Sequence, residues 1–173
     1  MLEVINGMNW NGACHQASAT LYILLKENSL NAEFCSGVVK NPDLNVMFSH
    51  SWVEVNGEIY DTTIYKQSNA IIQRAPVLAS YHLDNLTQKT NLLYGMTGIP
   101  IDEGTQITLS TPLTKMMHAK LPIADGKTWD VLFAIADKIG IKLEGVRRNT
   151  ADTRKLTKKY ENIYSTLRNN IIK

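Results

Sequence analysis

Cys14, His50 and Asp61 are the residues whose types and positions in this chain could do covalent chemistry together. Cys14 lies in NGACHQASATLYILLKE, at the head of a run whose apolar positions Ala13, Ala17, Leu21, Leu24 and Leu25 recur at helical spacing. Cysteine is a poor helix former, so its place in a first turn is informative. There the positive end of the helix dipole favours a thiolate, the nucleophilic form of the side chain. His50 and Asp61 stand on either side of Asn56-Gly57, a strong signal for a two-residue hairpin turn. With that turn set, Val55 pairs with Glu58, Glu54 with Ile59, Val53 with Tyr60, Trp52 with Asp61 and His50 with Thr63. His50, Trp52, Asp61 and Thr63 then share one sheet face. His50 and Asp61 become diagonal neighbours roughly 7–8 Å apart, a gap their side chains can close to a hydrogen bond. An imidazole held in this way can take a proton from a thiol and return it to a leaving group.

The elements that must position these groups are legible in part. A helix is expected over residues 13–26, opened by Asn11-Gly12 as small or capping residues and ended by Asn28-Ser29. AEFCSGVVK reads as a strand, NPDLN as a turn, and FSHSWVEV and EIYDTTIY as the arms of the hairpin. Residues 66–126 mix strand and helix signals, and MTGIPIDEGTQITLSTPL reads as loop and extended chain. Trp129, Leu132, Phe133, Ala136 and Ile139 mark a helix that Gly140 ends. A last helix over residues 151–171 puts Leu156, Tyr160, Ile163, Tyr164, Leu167 and Ile171 on one packing face. The chain shows no internal repeat or low-complexity segment.

The order Cys, His, Asp, with Gly-x-Cys opening a helix and His-x-Trp-Val-Glu-Val-x-Gly-x-x-Tyr-Asp forming a hairpin, resembles the transglutaminase-like superfamily of papain-related cysteine enzymes. The matching segments are GACHQASATLYILLKE, AEFCSGVV and HSWVEVNGEIYDTT, within residues 12–63. The resemblance implies an α+β fold with a papain-like, transglutaminase-like core. An N-terminal helix carrying the cysteine packs on an antiparallel sheet, and helices follow at the C-terminus. It implies Cys14 as nucleophile, His50 as general base and acid, and Asp61 as the orienting acid. The implied reaction is hydrolysis or transfer at a peptide or protein amide through a thioester. An oxyanion donor is also required. The backbone N–H of Cys14 is the first choice, and the second lies among the side chains of Asn9 and Asn11 and the indole of Trp10. Trp52 reads either as a core anchor or as a wall of the substrate cleft.

Other residues read more plainly. Cys35, in a β-rich run beside Phe34, is expected to be core packing and a free thiol, as is usual for a lone pair of cysteines in a chain of this length. His15 projects about 100° away from Cys14 on the helix and is expected at the surface or rim. His82 and His118 are expected to be incidental. No Cys-x-x-Cys or His-Glu-x-x-His occurs, so neither a metal site nor a cofactor is expected.

At 173 residues with 44% hydrophobic and 20% charged, the chain suits one domain, with the catalytic motifs in residues 9–65 and an unrecognised remainder over 66–173. No run is long and apolar enough to span a membrane. MLEVINGMNWNGAC lacks the basic and apolar regions of a signal peptide, so a cytoplasmic location and no membrane partner are expected. Residues 1–139 hold 9 Lys+Arg against 13 Asp+Glu, net −4, while residues 140–173 hold 9 against 3, net +6. A basic C-terminal helix on an acidic body allows an alternative reading. In it, a non-catalytic binding or inhibitory protein uses that helix on an acidic protein or nucleic acid. A solvated helix face is the commoner explanation, and no base-reading motif accompanies the charge.

Overall fold

The computed structural model describes residues 1–7, 9–10, 13–66, 75–121, 126–141, 143 and 153–161. A short helix α1 (Leu2–Gly7), which the sequence pattern does not announce, places Ile5 in the core. The second helix, α2 (Cys14–Glu27), starts and ends within one residue of its expected bounds. Its N-cap is Ala13, which offers no side-chain acceptor, while Asn11 and Gly12 lie outside the described residues. The buried residues Ala17, Ser18, Ala19 and Thr20 are small, so the first half of α2 can lie close against the sheet.

That sheet is antiparallel, with the order β3-β2-β1-β7, built from β1 (Ala32–Asn41), β2 (Val46–Val55), β3 (Glu58–Tyr60) and β7 (Leu93–Tyr94). β1 sits between two neighbours and is buried almost continuously from Phe34 to Val39. A strand covered on both faces needs such an apolar run. One face meets α2 through Phe34, Val38 and Val53, which join the larger core that runs from Ile5 to Tyr160. The opposite face carries a second core of Cys35, Val39, Trp52, Ile64, Val77 and Leu92. A smaller sheet of β4 (Val77–Leu78), β5 (Tyr81–His82) and β6 (Asn85–Lys89) continues from the hairpin. The protein is thus a mixed α+β structure.

The hairpin follows its expected register for three pairs, Val55 with Glu58, Glu54 with Ile59 and Val53 with Tyr60. The expected pairs Trp52–Asp61 and His50–Thr63 do not form as ladder partners. Asp61 instead bridges Val77, exchanging backbone hydrogen bonds of 2.8 and 2.9 Å. The cause is local. Oδ1 of Asp61 accepts from the backbone N–H groups of Thr63 and Ile64, each at 3.0 Å, and this Asx-type turn draws the chain off β2.

The region expected as loop and extended chain, residues 96–113, contains α3 (Glu103–Ser110), and α4 (Leu113–Met117) begins at its last residue. Asp102 caps α3 by accepting from the Thr105 N–H at 2.9 Å. Next comes α5 (Thr128–Ile139), ended by Gly140 at φ 72°. Trp129, Leu132, Phe133 and Ala136 face inward, but Ile139 is 58% exposed and does not belong to the packing face. Residues 153–161 form a helix, α6, with Leu156 and Tyr160 buried. Ile163, Tyr164, Leu167 and Ile171 lie outside the described residues. No helix among the described residues is long and apolar enough to cross a membrane.

Candidate active site

Cys14 is the first residue of α2 and is partly exposed. The N–H groups in a first helical turn have no intrahelical acceptor. Ala13 supplies no side-chain cap, and the thiol sits at the positive end of the helix dipole.

His50, in the middle of β2, is 1% exposed and points to the face opposite Ser51 and Val53. Its Nε2 lies 2.7 Å from Oδ2 of Asp61, which is fully buried. Its ring also hydrogen-bonds the Cys14 side chain. With Nε2 committed to Asp61, Nδ1 is the nitrogen left to meet the thiol. The three residues therefore form one connected chain, although Asp61 arrives there by leaving the ladder rather than by extending it.

Burial works against charge on His50, but the carboxylate of Asp61 and the hydrogen bonds to Asp61 and Cys14 outweigh it, raising the pKa from 6.5 to about 10. For Asp61 burial again opposes charge. His50, the Thr63 N–H and the phenol of Tyr94 prevail, and its pKa lies below the ordinary 3.8. The pair is thus stable as imidazolium and carboxylate.

Tyr94 is the residue that sequence reasoning missed. Its hydroxyl donates to Asp61 Oδ2 at 3.0 Å, and its ring meets the Trp52 indole edge-on at 5.1 Å between centroids. It comes from β7, a two-residue strand in a segment with no clear periodicity, where the pairing of Val39 with Tyr94 is a tertiary fact.

The remaining candidates fall elsewhere. Trp52 is fully buried, its indole N–H donates to Glu54 Oε1 at 2.9 Å, and it anchors the second core rather than lining a cleft. Trp10 is also buried, at 2% exposure in the larger core. Asn9 is exposed, and its side-chain oxygen accepts from Lys66 Nζ at 3.3 Å. Asn11 lies outside the described residues.

His15 is buried, contrary to its expected place at the rim. Its Nδ1 is 2.9 Å from Ser51 Oγ, and its ring meets Phe34 edge-on. Burial lowers its pKa to about 3, so it stays neutral. Ser51 Oγ in turn meets Ser36 Oγ at 2.9 Å, and Ser18 Oγ donates to the Ser51 carbonyl at 2.8 Å. These hydrogen bonds tie α2 to β2 one residue from His50. They fix the height of the helix over the strand, and with it the approach of Cys14. Cys35 is buried and is not joined to Cys14 by a disulfide, as expected.

Among the described residues, Glu33, Cys35 and Glu54 bring potential metal-ligand atoms within 4.8 Å of one another, a grouping that sequence spacing does not reveal. Glu33 and Glu54 are cross-strand partners on the sheet face that carries His50, and Glu54 already accepts from Trp52.

No curated protein and no solved structure matches. Residues 3–70 match the family model for the transglutaminase-like superfamily, a span that encloses Cys14, His50 and Asp61 and all the segments on which the resemblance rests. Over that span, this chain carries the transglutaminase-like superfamily pattern.

Proposed function

We propose that the protein is a cysteine-dependent hydrolase or acyltransferase acting on a peptide or protein amide, built on a papain-like core. The observation that carries this reading is the contact series from the helix-start thiol of Cys14 through buried His50 to buried Asp61. In this reading the proton of the Cys14 thiol already resides on His50 as a thiolate–imidazolium pair, and the thiolate attacks the amide carbonyl carbon. The resulting oxyanion is met by the Cys14 backbone N–H. As the carbon–nitrogen bond breaks, imidazolium His50 gives its proton to the departing amine, leaving a thioester on Cys14. Water, deprotonated by His50, then releases the acid. An acyltransferase would instead use an amine at that step. Hydrolysis is favoured because water needs no binding site of its own. Asp61 holds the ring orientation and stabilises its charge throughout.

The test is the pH dependence of iodoacetamide alkylation of Cys14, read by peptide mass spectrometry in wild type and His50→Ala, with buried Cys35 as internal control. Labelling of Cys14 that is fast well below pH ~8.5 and lost in the variant supports the reading. Labelling indifferent to His50 overturns it.

A further inference from the structure

We propose that Tyr94 is a positioning residue of the candidate site, acting through Asp61 to set how tightly His50 holds its proton. The inference rests on the reading of Cys14, His50 and Asp61 as the reacting unit, and it brings into that unit a residue beyond the family-matched span of 3–70.

The geometry is specific. Asp61 presents two oxygens with separate duties. Oδ1 is occupied by the turn, accepting from the Thr63 N–H at 3.0 Å, the Thr63 hydroxyl at 3.2 Å and the Ile64 N–H at 3.0 Å. Oδ2 is shared by His50 Nε2 at 2.7 Å and the Tyr94 hydroxyl at 3.0 Å. Two donors on one carboxylate oxygen compete for the same electron density, so the phenol weakens the hold of Asp61 on imidazolium His50. The Tyr94 phenol is itself kept protonated, because burial and the adjacent Asp61 both oppose its ionisation. It is therefore a fixed donor across the working range.

Among the described residues, the groups acting on this unit are few. Cys14 from α2 and Asp61 face His50, while His50, Thr63 and Tyr94 face Asp61. Phe48 and Trp52, the neighbours of His50 and Tyr94 on β2, are uncharged. Tyr94 also cannot drift, because its ring is held by Trp52 and its backbone pairs with Val39.

This has a functional sense. In amide cleavage His50 must be charged before attack and must then surrender its proton to the departing amine. A buried carboxylate acting on it alone favours the first step at the expense of the second. The phenol moderates that bias.

Tyr94→Phe removes the hydroxyl and keeps the ring against Trp52. His50 and Asp61 are followed by carbon-13 NMR of the imidazole Cε1 and carboxyl Cγ across the pH range. In the variant we expect about threefold to tenfold higher proton affinity at both groups, with an unchanged fold by circular dichroism. In the wild type the Tyr94 Cζ resonance should shift in step with the titration of the pair, a readout that needs no variant. A folded variant with both affinities within about twofold of wild type, or a Tyr94 Cζ resonance indifferent to the pair, overturns the inference. Either result leaves the Cys14 reading to its own alkylation test, where only the His50→Ala comparison decides.

Discussion

At the residue scale the candidate site is a buried His50–Asp61 ion pair with the Cys14 thiol at its outer end. Asp61→Asn keeps an oxygen for the Thr63 and Ile64 N–H groups but removes the charge facing His50. Breaking a buried pair in this way costs about 3–5 kcal/mol. Burial then acts on His50 against the Cys14 contact alone, so its pKa in the variant falls well below about 10, and low-pH labelling of Cys14 weakens. NMR titration, denaturant unfolding and alkylation check these three outcomes. The pH dependence of stability has a definite sign. Asp61 has a lowered pKa, so its contribution is present above 3.8 and is lost as pH falls below that value. His50 is raised to about 10, so its contribution is complete below 6.5 and is lost as pH climbs through 10. His15, depressed to about 3, contributes above 6.5 and loses that contribution as pH falls from 6.5 toward 3. Unfolding measured between pH 6.5 and 4 should therefore show a decline that His15→Gln abolishes, since only His15 of the three changes there in that direction.

At the element scale, positioning depends on α2 and β2 keeping their spacing. Ser51→Ala deletes the hydroxyl that meets both His15 and Ser36, removing two buried hydrogen bonds while Ser36 keeps its bond to the His50 carbonyl. A loss of about 1–3 kcal/mol is expected from denaturant unfolding, with slower Cys14 labelling because the helix start shifts relative to His50. Gly140, which ends α5 at φ 72°, sits in a conformation that costs a side chain strain. Gly140→Val should lower the melting temperature while leaving the Cys14 pH profile in place. The hairpin was readable through Asn56-Gly57 because a two-residue turn sets register by itself. The turn after Asp61 was not, because a side-chain hydrogen bond to the following amides overrode the ladder.

At the scale of the whole molecule, residues 153–161 of the basic C-terminal segment pack on the body. Tyr160 meets Tyr22 edge-on at 6.0 Å, and Glu27 accepts from Lys159 Nζ at 2.7 Å and also from the Tyr160 hydroxyl. Glu161 accepts from the Leu113 and Thr114 N–H groups at the start of α4 at 3.2 and 2.9 Å. Arg154, Lys155 and Lys158 are left exposed. Tyr160→Ala should cost about 3–5 kcal/mol in unfolding measurements, because it opens a cavity over α2. Neutralising Arg154, Lys155 and Lys158 should leave Cys14 labelling unchanged. If it instead abolished the protein's function while Cys14→Ala left that function intact, the helix would be the binding surface and the thiol site a scaffold.

The sequence by itself determined the local facts: a cysteine at a helix start, a hairpin placing a histidine near an aspartate, and a helix ended by Gly140. Each follows from residues within a turn or two of one another, where propensity and periodicity act directly. Only the tertiary structure decided that Asp61 reaches His50 from outside the ladder, that His15 is buried and that Tyr94 joins Asp61. Those contacts join residues 33 to 36 positions apart, or depend on where the chain turns after β3. Burial and long-range pairing arise from packing of the whole chain, which no short pattern encodes.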